Sequence, residues 1–172
     1  MRETFEQRVD RWGRAMTPMV IAALLVLLAT ARDPDLGVSA VAPNMALICV
    51  YFWSAQRPEA MSPAAAFALG LFQDLLTGFA PGVNAMTLLL AHVLVAGQLR
   101  FLLSQSFLVA WCAFAIFAIG AEALRGGLFW FFADRPPDLA EAGLRVAVTT
   151  ALHPFFAWAL GKLDGRLYRD EA

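Results

Sequence analysis

The feature that most constrains this chain is a succession of long apolar runs joined by short polar segments. Reading the runs against the charges and prolines that interrupt them gives six candidate membrane spans: Pro18–Ala31, Val38–Trp53, Ser62–Phe79, Val83–Leu103, Phe107–Phe132 and Gly143–Leu163. With 60% of 172 residues hydrophobic and only 16% charged, the chain carries more apolar surface than a water-soluble fold can hide. A bilayer accepts it, because a spanning helix of about 20 apolar residues can show them to lipid all the way round. Several runs are shorter than this, and the joints are tight, Ala80-Pro81-Gly82 being the shortest. The expectation is one compact all-α transmembrane domain over residues 1–172, with thinned or tilted ends.

Lys and Arg fix the expected orientation, since positive loops stay cytoplasmic. With the N-terminus inside, that side holds Arg2, Arg8, Arg11, Arg14, Arg57, Arg100, Lys162, Arg166 and Arg169, while the outer loops hold Arg32 and Arg135. Arg125 and Arg145 lie within or at the outer end of spans five and six and do not enter that comparison. Both termini are then cytoplasmic, with residues 164–172 as a tail. In the leader, residues 1–16, the spacing of Phe5, Val9, Trp12 and Met16 predicts an amphipathic helix on the inner membrane face, with Pro18 turning the chain into the bilayer. Ala29-Thr30-Ala31 mimics a cleavage site, but Glu3, Glu6 and Asp10 in the leader argue against a signal peptide, as does the lack of a soluble domain after it. A net charge of −1 gives no basic field for nucleic acid. Cys49 and Cys112 fall in apolar runs and read as free thiols.

An ionisable group deep in a membrane needs a partner or a purpose. On span three Ser62, Ala66, Gly70, Asp74 and Gly78 recur every fourth residue, each step turning about 40°, so they form one slowly winding stripe of small residues. Such a stripe lets a second helix approach closely and puts Asp74 in a protein-packed groove. Asp74 is then either a proton or cation site or a contact point for a partner, or else a carboxylate hydrogen-bonded to a neighbouring helix or one protonated by burial. Glu122 and Arg125 have the spacing of a self-neutralising pair, with Arg145 as a competing partner for Glu122. Arg145, Thr149 and His153 make a polar stripe expected to face span five or span three. His153 precedes Pro154, where a polar side chain can satisfy backbone freed by the proline, and this reading is favoured over metal binding with His92. No nucleotide-cradling loop, HExxH, GxSxG or paired catalytic carboxylate occurs, so no catalytic, cofactor or metal residue is assigned. Gly126-Gly127 reads as a packing notch, and Phe129-Trp130-Phe131-Phe132 as an interfacial aromatic belt.

Two stretches resemble a known family. Pro43-Asn44-Met45-Ala46-Leu47-Ile48-Cys49-Val50-Tyr51-Phe52-Trp53, followed by Arg57-Pro58, is similar to the second-span signature of the rod shape-determining MreD family. Gly70-Leu71-Phe72-Gln73-Asp74-Leu75-Leu76-Thr77-Gly78, then Gly82-Val83-Asn84-Ala85, is similar to its third-span signature. The resemblance implies a non-enzymatic, multi-pass subunit of the elongasome in the bacterial inner membrane, with no cofactor. It implies work with MreC, the actin-like MreB, the RodA glycosyltransferase and a class B penicillin-binding transpeptidase in lateral wall synthesis and cell shape. It also implies a six-helix architecture similar to the substrate-binding subunits of energy-coupling-factor transporters. The C-terminal half departs into generic apolar helices, so the resemblance assigns nothing to Glu122, Arg125 or His153. The competing function is a vitamin- or ion-uptake subunit. It would need a polar outward pocket, whereas the outer loops are short, Ala133–Ala142 being the longest.

Overall fold

Six helices and no strand occur among the residues described by the computed structural model, which are 5–30, 42–57, 61–78, 80–98, 106–133 and 136–167. In chain order they are α1 (Phe5–Thr30), α2 (Met45–Gln56), α3 (Pro63–Thr77), α4 (Val83–Gly97), α5 (Phe107–Ala133) and α6 (Leu139–Leu167). Among the described residues α5 is the one helix long and apolar enough to cross a membrane unaided, over Phe107–Phe132. Thr17–Thr30, Met45–Gln56, Pro63–Thr77 and Val83–Gly97 are shorter apolar helices.

The shortest helix is the centre of the molecule. Every residue of α2 from Ala46 to Ala55 is buried, and the helix packs against α1, α3, α4 and α6. Tyr51 adds ring contacts to Phe114 and Phe117 of α5. A largely apolar helix can show its sides to lipid; here protein surrounds it. The lipid-like surface lies on the outer helices instead. On α5, Phe114, Ala118 and Ala121 recur at helical spacing and point inward, while Ile116, Ile119, Trp130 and Phe131 are exposed.

Local chemistry moves several of the expected boundaries. The leader and span one are a single helix that runs through Pro18, so Pro18 makes no turn between them. Proline removes one intrahelical hydrogen bond, and with helix on both sides that loss does not break the element. Span two begins at Met45 and not Val38, because Asn44 caps it: its side chain accepts from the Leu47 N–H at 3.0 Å. Residues 38–41 lie outside the described set. Span three is bounded by Ser62, which accepts from Ala65 N–H, and by Gly78 in the left-handed conformation at φ 67°. Span four stops at Gly97, six residues before Leu103, with Gln98 as its C-cap; the residues beyond it are not described until 106. Span six starts at Leu139 because Asp138 Oδ1 accepts from Ala140 N–H at 2.8 Å and Glu141 N–H at 3.3 Å. It continues to Leu167, so the expected tail begins as helix and the outer joint is shorter than Ala133–Ala142.

Candidate functional site

The most highly organised polar group is Asp74, 1% exposed on the inner side of α3. Its setting follows from a difficulty at the start of α4. The first N–H groups of a helix have no intrahelical acceptor, and the N-cap here is Gly82, at φ 103°, which has no side chain to offer. Asp74 reaches across the hairpin and supplies both oxygens. Oδ2 accepts from the Gly82 N–H at 2.8 Å and the Ala85 N–H at 3.3 Å; Oδ1 accepts from the Asn84 N–H at 3.0 Å and Asn84 Nδ2 at 2.9 Å. A carboxylate has about four lone-pair positions. All are taken, three of them by backbone N–H groups at the positive end of the α4 dipole. Asp74 is thus a carboxylate hydrogen-bonded to a neighbouring helix.

Gly70 lies one turn earlier on the same face. A Cβ built there would stand 2.4 Å from Ala85 Cα and 2.6 Å from Asn84 O, so α4 backbone occupies the space that any other residue would fill. Ala66, fully buried, continues this face. The expected stripe is shorter than its spacing suggested. Ser62 is exposed and serves as a cap. Gly78 serves as the left-handed turn residue, and a Cβ added to it would meet no atom within 4 Å. The packing face is therefore Ala66, Gly70 and Asp74, and the two glycines at positive φ, Gly78 and Gly82, fold α4 back onto it. Asn84 is the partner that spacing on α3 alone did not single out.

A second polar cluster joins α5 to α6. Glu122 accepts from Arg125 Nη2 at 2.5 Å and Nε at 3.2 Å, and Arg145 of α6 stands 3.5 Å from the same carboxylate. Arg145 also bonds Glu141, an acid that the expected pairing did not include. The local and cross-helix pairs thus coexist. Glu122, Arg125 and Arg145 side chains are 8%, 13% and 14% exposed and Glu141 is 42% exposed, so two bases and one acid are buried and the second acid meets them from the surface. Glu122, Arg125 and Glu141 border a cavity of about 730 Å³ whose wall includes Gly126 and Pro137; a Cβ at Gly126 would meet Pro137 at 3.3 Å.

The Arg145, Thr149, His153 stripe meets α5, one of the two expected faces, and also α2. Thr149 Oγ1 accepts from the Asn44 N–H at 3.0 Å, tying α6 to the start of α2. His153 lies between Tyr51 and Phe114, stacked on the latter at 3.9 Å. It does not repair the backbone freed by Pro154. The orphaned carbonyl four residues before the proline is Thr150 O, and Trp111 Nε1 of α5 donates to it at 2.9 Å. An indole N–H from the facing helix reaches that oxygen, leaving His153 Nδ1 without a partner. His92 is elsewhere, its Nδ1 2.7 Å from Ser54 Oγ of α2. Among the described residues no three His, Cys, Asp or Glu side chains gather as a metal site.

The family-signature positions spread along α2 and the hairpin. Pro43 O accepts from Met45 N–H, and the Tyr51 hydroxyl donates to Ala110 O at 3.3 Å. Arg57 ends α2, its N–H donating to Trp53 O at 2.8 Å and its Nε to Asp164 of α6 at 3.2 Å. Pro58 lies outside the described residues. The structure thus gathers Gly70, Asp74 and Gly82 in one place, and Glu122, Arg125 and Arg145 in another. The model of one protein family, described as rod shape-determining protein MreD, matches residues 10–136, from within α1 to beyond the end of α5. No curated protein matches the chain, and no solved structure does.

Proposed function

The chain belongs to the MreD family of rod shape-determining membrane proteins, and on that premise we propose that it is a non-enzymatic, multi-pass inner-membrane subunit of the elongasome. In this reading it supports lateral peptidoglycan synthesis by binding MreC, in a complex with RodA, a class B penicillin-binding transpeptidase and MreB. Both termini are cytoplasmic, and the six helices form a bundle of the energy-coupling-factor substrate-subunit kind. The observation that carries the reading is the family match over residues 10–136. The polar inventory is in keeping with it: the four acceptor positions of Asp74 are filled from within the hairpin, which suits a rigid mounting surface better than a reacting centre.

The test is depletion in a rod-shaped host together with copurification from native membranes. Cells are expected to round up, and MreC to travel with the tagged protein; rods of normal width and no MreC in the eluate would reject the proposal. One observation favours a second reading, a small-solute uptake subunit: the cavity of about 730 Å³ bordered by Glu122, Arg125 and Glu141. Saturable binding of a vitamin or inorganic ion to the purified protein, abolished by Glu122→Gln, would move the assignment to that reading.

A further inference from the structure

Pro154 divides α6 into two halves that are held differently. Before the proline, Thr149 is bonded to the Asn44 N–H, and Arg145 is paired with Glu122 and Glu141. After it, from Phe155 to Gly165, Leu160 is the one buried residue, while Phe155, Trp158 and Leu163 are 60%, 64% and 42% exposed. Proline removes the N–H that would tie the two halves together at Thr150 O, and the donor that replaces it, Trp111 Nε1, belongs to α5. Thr150 O therefore stays bonded whatever the second half does, so bending at Pro154 costs no hydrogen bond at that carbonyl. Among the described residues five buried side-chain polar atoms lack a hydrogen-bond partner, and three are on α6: Thr150 Oγ1 and His153 Nδ1 beside the proline, and Asp164 Oδ1 near the far end. Unmet polar atoms destabilise the packing that leaves them so.

We propose that the second half of α6, Phe155–Gly165, is a hinged strap that turns about Pro154, is latched to the end of α2 by Arg57 and Asp164, and swings away from α2 when that pair opens. The latch is Arg57 Nε on Asp164 Oδ2 at 3.2 Å, with the two side chains 33% and 18% exposed. An ion pair that solvent reaches is weak, which suits a catch better than a permanent joint. A cleft of about 350 Å³ between α2, α5 and α6, bordered by Pro154, Ala157 and Trp158, leaves the strap short of close packing along that side. The strap is about 16 Å long, so a change of about 20° at the proline, the size of kink that prolines make, moves its end by about 6 Å. That movement widens the cleft, so the pair at the end of α2 governs access to an aromatic wall farther along the helix. The device follows from this geometry and is independent of the shape-determining role.

Pulsed EPR distances test this in the full chain, reconstituted in phosphatidylcholine vesicles with Cys49 and Cys112 replaced by alanine. Nitroxides on Gln98→Cys, at the end of α4, and on Gly165→Cys, on the strap, read the swing; Gln98→Cys with Ala147→Cys, before the proline, reads the rest of α6, and all three positions are exposed. Each pair is expected to give one narrow distance in the parent protein. Asp164→Asn, which keeps the shape of the side chain and removes its charge, adds to the Gly165 pair a second distance longer by about 6 Å and leaves the Ala147 pair unchanged. Exchanging the charges, Arg57→Asp with Asp164→Arg, restores the single distance. Pro154→Ala in the Asp164→Asn background does the same, because an unbroken helix couples the two halves; the charge exchange carries the test if that variant does not fold. A single, unshifted Gly165 distance in Asp164→Asn would overturn the proposal. So would an equal shift at Ala147, which would mean that α6 moves as a whole, or a second distance that persists after the charges are exchanged.

Discussion

A methyl group at Gly70 has nowhere to go, since its carbon would stand 2.4 Å from Ala85 Cα, a backbone atom that cannot rotate aside. Gly70→Ala is therefore expected to cost about 3 kcal/mol, the upper range of core overpacking, by forcing the α3–α4 hairpin open. Gly78→Ala meets no neighbour and strains only its own backbone at φ 67°, for about 1 kcal/mol. Thermal unfolding of the two purified variants gives the order directly; equal melting temperatures would show that the close approach is not the reason for Gly70. Asp74→Asn replaces one acceptor oxygen by an NH₂ group that faces backbone donors, and is expected to cost about 2 kcal/mol, with Asp74→Leu worse. Normal stability and complementation by Asp74→Leu would refute the capping role. The face of Gly70 and Asp74 was legible in their fourfold spacing. What holds Asp74 was not, because its donors come from a segment folded back by two left-handed glycines, and such a turn brings together residues that helical periodicity treats as unrelated.

At the scale of elements, α5 and α6 are joined by a repair. Pro154 orphans Thr150 O, and Trp111 Nε1 supplies the missing donor. Trp111→Phe should destabilise the protein by about 1–3 kcal/mol in the parent, but by much less in a Pro154→Ala background, where the helix supplies its own N–H. The double-mutant cycle measures that coupling, and additive losses would sever the two residues. The cap at Asp138 is worth about 1 kcal/mol, so Asp138→Ala should raise amide hydrogen exchange at Ala140 and Glu141 and leave α3 and α4 unchanged. The beginning of α6 was readable, since Asp138 with Glu141 three residues on has the pattern of a helix start. Reading apolar runs alone passed over it, because Glu141 interrupts the run in its first turn. The continuity of α1 through Pro18 was not readable in that way, as a proline marks a break only where flanking segments gain nothing by staying aligned.

For the whole molecule, the least legible fact is that α2 is the core. A helix apolar on nearly every side looks the same in sequence whether lipid or protein surrounds it, and only its length, twelve residues or about 18 Å and short of a crossing, points to protein. The expected topology can be tested on a variant lacking Cys49 and Cys112. An impermeant maleimide applied to intact cells should label Pro136→Cys and spare Gly165→Cys until the membrane is opened, both positions being exposed; the reverse pattern would invert the orientation. The bonds also differ in how much chain they must wait for. Asp74 closes on partners 8 to 11 residues ahead, so the α3–α4 pair can lock as soon as it has been synthesised. The bonds from Asn44 to Thr149 and from Arg57 to Asp164 span 105 and 107 residues. These separations favour an assembly ordered in time: an early local hairpin, and a buried centre that stays open at both ends until α6 has been synthesised and closes it.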